Sequence, residues 1–385
     1  MRLMVLGAGQ QGSACAYDLL ANSTHDVVLA DLNSKKVAPF LDPYVGGRLE
    51  RLRLNVADAT SVRDAMVGVD VTLSAVPFHL NLALTEAALE TGSHFCDLGG
   101  NTEIVRRQKQ LHPAAVAAGL GVVPDCGLAP GMVNIIAAHG IRQFDHVHEV
   151  HMKVGGLPQR PEPPLKYQIV YSLEGVIDYY TTRSWILRNG ALVQVEALSE
   201  VEEAFFPAIG ALEAFHTAGG LSLMAQSYAG KVDRMEYKTL RYPGHAEAMR
   251  TVRELGLLST TPLEVNGVDV IPRDVFIAAA GPKLRKDPQQ SPDLVALRID
   301  VSGERGGKEV TLRWELLDRF DPATGITAMM RTTGFSLSIT GLMLAADQIR
   351  AGVGTPDEVV PVEAYLTELA ARGIQVRSEV VGGET

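Results

Sequence analysis

Short apolar runs alternate with helical stretches over the first third of the chain. Leu3–Leu6 is an apolar run that stops at Gly7, and Gln10–Leu20 follows with helical character. The runs His25–Ala30, Leu52–Asn55 and Val71–Ala75 come next, with helical stretches at Ser61–Val67 and Leu80–Glu90 between them. His94–Cys96 and Gly121–Pro124 continue the alternation across a helix predicted near Ile104–Ala118. Short strands separated by helices read as βαβ units, so residues 1–125 are predicted to form a doubly wound α/β domain on a parallel sheet.

The texture then changes. Residues 155–165, GGLPQRPEPPL, are crowded with proline and glycine and read as a loop. Longer strand candidates follow at His148–Val154, Val232–Leu240, Leu294–Ser302 and Val310–Leu317, the last two forming a hairpin around Gly303–Lys308. Long strands joined by turns point to a mostly antiparallel sheet, hence a second domain of α+β type over residues 126–331. Thr332–Ala346 and Val362–Arg372 return to a helical period, with GVGTPDEVVP between them as a loop. Residues 332–385 are expected to pack back on the first domain.

Composition narrows the function classes. Of 385 residues, 46% are hydrophobic and 21% charged, a balance that supports large cores. The net charge of −10 and the scatter of Lys and Arg argue against a nucleic-acid partner. Cys15, Cys96 and Cys126 form no CxxC pair, so neither a disulfide framework nor a metal site is expected. The apolar run at the start is too short for a signal peptide, and no stretch nears the roughly 18 apolar residues of a membrane helix. The expectation is a cytoplasmic protein with no membrane partner.

Gly7-Ala8-Gly9-Gln10-Gln11-Gly12 fits GxGxxG, follows a buried strand and opens a helix. Gly7 suits the tight turn, Gly9 a close approach to a pyrophosphate, and Gly12 close helix–strand packing. Asp31 lies 19 residues beyond Gly12 at the end of the second strand, where a carboxylate meets a ribose 2′-hydroxyl and repels a 2′-phosphate. The cofactor expected is therefore NAD, in a Rossmann-type domain. Ala75, Val76 and Pro77 end the fourth strand at the crevice edge and are expected along the nicotinamide side. Asp58 is a candidate for the adenine and equally a helix cap before Thr60. Asp97 and Gly99 follow the fifth strand and Asp125 the sixth, also at the crevice edge; Asp125 is equally a possible helix cap.

GAGQQG, the DLGG at 97–100, PDCGLAPGM at 124–132 and VGGLPQRPEPPLKY at 154–167 together resemble the saccharopine dehydrogenase family. SLEGVIDYY at 172–180, EAFHTAGG at 213–220 and EYKTLRYPGHAE at 236–247 resemble the family's lysine 6-dehydrogenases. The resemblance runs to about residue 375. It implies a Rossmann domain, a catalytic and dimerisation domain, a homodimer or higher homo-oligomer, and oxidation of the ε-amine of L-lysine by NAD. Glu174 stands where saccharopine enzymes of the family tend to carry a basic residue, which suits a substrate with two amines and one carboxylate.

Hydride loss needs a neutral amine, and free lysine titrates near about 10.4. A general base is therefore expected within about 3 Å of the nitrogen or of the attacking water. His216, His245 and His79 are the imidazole candidates, and Asp97 and Asp125 the carboxylates. Cys126 reads as a buried thiol by default. Arg241 is the candidate for the substrate carboxylate, with Tyr167, Thr217 and Glu174 lining the pocket. Two rival functions stay open: a reductive condensation enzyme of the saccharopine or carboxynorspermidine dehydrogenase type, and a non-catalytic NAD(H)-binding redox sensor.

Overall fold

The computed structural model describes residues 1–35 and 37–381. The chain divides into two compact units. The first comprises Met1–Asp145, Ser222–Ser227 and Met330–Arg377, and the second His146–Leu221, Tyr228–Met329 and Ser378 onward.

In the first unit, strands β1 (Arg2–Leu6), β2 (Asp26–Asp31), β3 (Leu49–Arg53), β4 (Val71–Ser74), β5 (His94–Asp97) and β6 (Gly121–Val123) form a parallel sheet. A two-residue strand, Gly352–Val353, adds to the far edge, and the order along the sheet is Gly352–Val353, β6, β5, β4, β1, β2, β3. The order reverses at β1, with β2 on one side and β4 on the other. That reversal opens a crevice at the carboxyl ends of the strands. Every residue of Leu3–Leu6 is buried, the mark of a central parallel strand covered on both faces.

Three sequence expectations shift here. The edge strand β3 runs Leu49–Arg53 rather than Leu52–Asn55, because only Leu49 is fully covered and its polar positions hide the period. The helix expected over Ile104–Ala118 is two, Thr102–Lys109 and His112–Ala118, with Pro113 in the first turn of the second. The GVGTPDEVVP loop holds the edge strand and a short helix, Pro356–Val359, closed by a Thr355–Glu358 capping box. Beyond residue 125, the helix Met132–Ile141 belongs to this first unit and is almost wholly buried.

The second unit is built on a nine-stranded sheet. Strands β7 (His146–Pro158), β8 (Ser184–Arg188), β9 (Ala191–Val195), β10 (Glu202–Phe206), β11 (Gly210–His216) and β12 (Val232–Arg241) are followed by a small hairpin, β13 (Leu263–Val265) and β14 (Val268–Val270), outside the sheet. β15 (Asp293–Arg305) and β16 (Lys308–Arg319) complete the main path, β10–β11–β12–β7–β15–β16, and the strand Val376–Val381 lies at its end. Only the β12–β7 pair on that path is parallel among the pairings recorded for the described residues. The start of the expected loop at 155 is strand instead. A Cβ on Gly155 would stand 2.5 Å from the Leu240 carbonyl oxygen, so the glycines serve close strand packing and not a turn.

Candidate active site

The glycine turn forms as its residues require. Gly7 has φ +96°, and its N–H donates to the Ala30 carbonyl at 2.8 Å. A Cβ on Gly12 would lie 1.8 Å from the Gly7 carbonyl oxygen, while a Cβ on Gly9 would meet nothing within 4 Å. Gly9 thus faces open space, and Gly12 is where helix and strand touch. The helix Gln10–Asn22 starts without a side-chain cap or an acidic residue in its first turn. Its free N–H groups and positive dipole end favour an anion. Both amide atoms of the Gln11 side chain are buried without a hydrogen-bond partner. Such an orphaned pair beside an open glycine fits a polar ligand seated on the turn.

Asp31 closes β2. Its Oδ2 accepts from the Ala8 N–H at 2.8 Å and its Oδ1 from the Asn33 N–H at 2.8 Å. The carboxylate is thereby fixed beside the glycine turn with lone pairs to spare. Ala75 docks through its N–H on the Leu6 carbonyl at 2.8 Å, and the Val76 side chain lies against Gly7. Ala75 and Val76 therefore lie against the turn, and Pro77 follows them at the start of a short helical turn. Gln10 is exposed at the helix start. Asp58 takes its other reading: it caps the helix Ala59–Met66, accepting from the Thr60 N–H at 3.1 Å and the Ser61 hydroxyl at 2.7 Å.

Behind the crevice, two aspartates share one buried network. Asp97 ends β5 fully buried; its Oδ1 accepts from the Gly99 N–H at 2.7 Å and its Oδ2 from Gln108 Nε2 at 2.7 Å. The Asp125 N–H also reaches Asp97 Oδ1, at 3.3 Å. Asp125 sits in the left-handed region at φ +65°, accepts from the Gly100 N–H at 3.3 Å, and accepts from the Ser222 hydroxyl. A Cβ on Gly99 would fall 1.6 Å from Asp125 Oδ1, so glycine is needed for the carboxyl to lie there. Burial pushes Asp97 up to about 6, against its Gln108 hydrogen bond. Burial, and then the neighbouring Asp97 charge, pushes Asp125 up to about 7. A carboxyl titrating near neutrality can both give and take a proton. Asp125 caps no helix; it is a network residue.

The second unit holds the other expected residues. Arg241 is 3% exposed, donating from Nε to the Tyr180 hydroxyl at 3.2 Å and from Nη1 to the Leu240 carbonyl at 2.8 Å. Its guanidinium lies 4.9 Å from the Tyr167 ring centre. Among the described residues no carboxylate pairs with it. Tyr167 is buried with its hydroxyl unpartnered, and it forms part of the wall of a mostly apolar cavity of about 240 Å³.

The histidines expected as bases are tied into the fold. His245 Nδ1 meets the Leu165 carbonyl at 3.0 Å, and Nε2 meets the Tyr180 hydroxyl at 3.0 Å. A carbonyl only accepts, so Nδ1 carries the proton and Nε2 receives one from Tyr180. Burial, then the Arg241 charge, lowers its pKa to about 3. Both ring nitrogens of His245 are thus engaged within the fold, by Leu165 and Tyr180. His216 is fully buried, with Nδ1 at 3.3 Å from the Tyr237 carbonyl and Nε2 at 3.3 Å from Glu200. Both ring nitrogens are engaged, so it too belongs to the fold. His79 lies in a short turn of helix, its ring edge-on to Phe78. Thr217 spends its hydroxyl on Thr239 at 2.8 Å. Glu174 sits exposed in the first turn of Leu173–Thr181, accepting from the Ser172 hydroxyl at 2.9 Å, so its carboxylate belongs to a helix start. Three partners escaped the sequence reading: Ser222, Gln108 and Tyr180. Tyr180 stood inside a motif already noted, but nothing in the pattern says that it joins Arg241 to His245.

Two family models cover nearly the whole chain: the saccharopine dehydrogenase NADP binding domain over residues 3–123 and the saccharopine dehydrogenase C-terminal domain over residues 127–374. The chain belongs to the saccharopine dehydrogenase family. Saccharopine dehydrogenase [NADP(+), L-glutamate-forming] of Schizosaccharomyces pombe is 23% identical over 274 residues, 68% of this chain and 59% of that protein. The chain thus spans less than two thirds of that relative's length. Carboxyaminopropylagmatine dehydrogenase of Synechocystis is 21% identical over 99% of this chain and 98% of its own. The apo saccharopine dehydrogenase (L-Glu forming) of Saccharomyces cerevisiae superposes with a TM-score of 0.80 at 18% identity, covering 99% of this chain and all of that one. Homospermidine synthase of Legionella pneumophila, solved with NAD, gives 0.68 at 11% identity, covering 99% and 91%. The superpositions carry the fold, and the two family models carry the membership in a family of dehydrogenases. Among the described residues no helix is long and apolar enough to cross a membrane.

Proposed function

We propose that the protein is an NAD-dependent dehydrogenase that deaminates the ε-amine of L-lysine. The carrying observation is the buried guanidinium of Arg241, which among the described residues has neutral partners in Tyr180, Leu240 and Tyr167 but no carboxylate. A buried charge without an opposite charge is costly, and a substrate carboxylate relieves that cost. Saccharopine brings three carboxylates; lysine brings one. The exposed Glu174 adds nothing to this choice.

The dinucleotide preference rests on Asp31. A 2′-phosphate beside this carboxylate would meet like charge, and the described residues around β2 place the carboxylate, not a guanidinium, on the Ala8 N–H. The residues Gly7–Gly12 and Gln11 would hold the pyrophosphate, and Ala75–Pro77 the nicotinamide side. When bound, the nicotinamide supplies hydride acceptance. The chain supplies proton handling. A general base, for which Asp125 and Asp97 are the carboxyl candidates, takes the proton from the ε-ammonium so that the amine lone pair assists hydride departure from the ε-carbon. The resulting iminium then adds water and expels ammonia. L-lysine, NAD and water give allysine, NADH, ammonium and one proton, and the aldehyde cyclises on the α-amine. A homodimer is retained as part of this reading, testable by light scattering.

An NADH-formation screen over lysine, ornithine, saccharopine and diamines, with each dinucleotide, tests the reading. It expects NADH from lysine with NAD and little from saccharopine. The full-length match to carboxyaminopropylagmatine dehydrogenase favours a second reading, reductive condensation of an amine with a carbonyl compound. That reading expects no NADH from lysine and NAD alone. Tight NAD binding with no turnover of any amine would point to a redox sensor.

A further inference from the structure

The amino end of β7 reads His146-Val147-His148, and its register carries an irregularity. Ser302 of β15 pairs with Glu149, and the next residue, Gly303, pairs with Val147. His148 is therefore the extra residue of a β-bulge. His146 and His148 stand two residues apart on the strand, the spacing that puts side chains on one face, and their rings lie 4.8 Å apart and edge to face. On the other flank, Val232 and Arg234 of β12 pair with Val147 and Glu149, which sets Asp233 level with His148. A Cβ on Gly303 would stand 2.1 Å from the His146 carbonyl oxygen, so backbone packing pins this corner.

One donor atom each from His146, His148 and Asp233 lies within 4.8 Å of the other two. His148 Nδ1 is 3.6 Å from Asp233 Oδ2. Two ligands of one tetrahedral ion, with bonds of about 2.0–2.1 Å, lie about 3.3 Å apart. The other nitrogen, His148 Nε2, faces Glu309 Oε1 at 3.2 Å. That is the arrangement in which a ligating histidine donates its second N–H to a carboxylate, which fixes the tautomer and raises the basicity of the ligating nitrogen. Asp233 and Glu309 thus place negative charge on both sides of the His148 ring.

We infer that His146, His148 and Asp233 form a binding site for a divalent transition-metal ion of the zinc class, with Glu309 as the outer carboxylate that orients His148. The His-X-His pair supplies the two nitrogens such ions prefer, and three protein ligands leave a position for water. A second cluster, Glu200, His216 and Glu236, is excluded by its neighbours. Lys238 Nζ lies 4.0 Å from Glu236, and Arg188 and Arg234 pair with Glu200 and Glu236, so positive charge already occupies that space. None of His146, His148, Asp233 and Glu309 has a role in dinucleotide or substrate handling, and the site does not depend on the proposed reaction.

The test is a titration of the chelator-treated, full-length protein with Zn²⁺ by calorimetry and with Co²⁺ by visible absorption. One ion per chain is expected, with Co²⁺ giving the intense bands of a low-symmetry N/O site. His148→Ala and Asp233→Asn should each weaken binding at least 10-fold, Glu309→Gln several-fold, with metal-free thermal midpoints and dinucleotide binding unchanged. Absence of saturable binding, or equal affinity in the His148→Ala and wild-type proteins, overturns the site. If His148→Ala proves unstable, retained affinity in Asp233→Asn and His146→Gln overturns it equally.

Discussion

Burial holds the Asp125 carboxyl near pH 7, where an aspartate in the unfolded chain titrates near 3.8. Between those values the folded protein binds more protons than the unfolded one. Stability from this group is therefore full below about 3.8 and is lost as pH rises through about 7. Asp97 acts in the same direction up to about 6. His245 acts oppositely: its contribution is present above about 6.5 and is lost as pH falls toward about 3. Comparing wild type with Asp125→Asn isolates the aspartate. Thermal midpoints should fall less steeply between pH 4 and 7 in the variant; parallel curves would remove Asp125 from the buried network. At the same scale, Arg241→Lys keeps a charge but loses the planar fork. A charge-assisted bond contributes about 1.5–3 kcal/mol, so KM for lysine should rise roughly 10- to 100-fold with kcat little changed. An unaltered KM would contradict a carboxylate at Arg241. Asp31→Arg should move preference toward NADP, read as the ratio of kcat/KM values; a constant ratio removes Asp31 from the ribose. The glycine turn and the place of Asp31 beside it were legible in the sequence because their geometry is local. The fates of His216 and His245 were not, because a histidine's role depends on partners distant along the chain, Tyr180 and Glu200 among them.

Helices and strands were legible where burial is one-sided or complete. β1, β2, β4 and the long hairpin of β15 and β16 announce themselves through apolar runs or strict alternation. β3, β9 and β10 do not, because they are edge or partly exposed strands with mixed polarity. The glycine-rich end of β7 was misread because close packing against Leu240 uses the same residue type as a turn. Gly12 gives an element-scale test: its substitution by Ala drives a Cβ into the Gly7 carbonyl, so dinucleotide affinity should fall at least 10-fold while the second unit keeps its fold. The carboxy-terminal helices are tied to the first helix by Arg372, whose Nε reaches both carboxylate oxygens of Asp18 at 2.8 Å with both side chains buried. Removing Asp18 leaves the buried Arg372 guanidinium with only the half-exposed Glu368 carboxylate as an ion-pair partner. Asp18→Ala should therefore destabilise the first unit by about 3–5 kcal/mol, and Asp18→Leu with Arg372→Met by much less. Denaturant unfolding of the two variants measures the difference; equal losses would assign the effect to packing and not to charge.

At the scale of the molecule, the alternation of strand and helix followed by long strands carried both sheets before any geometry was known. The long mixed-residue motifs carried the family. The compact units do not follow the chain as simply: Ser222–Ser227 returns to the first unit, where Ser222 meets Asp125, and no local pattern marks so short an excursion. The account as a whole claims that hydride leaves the ε-carbon of lysine for a nicotinamide held at the amino-terminal glycine turn. Turnover of L-lysine carrying deuterium at C6, with unlabelled NAD and mass spectrometry of the reduced cofactor, tests that claim most directly. One deuterium per NADH is the result predicted. Unlabelled NADH, which would place the oxidation at another carbon, or no reduced cofactor at all, would contradict it.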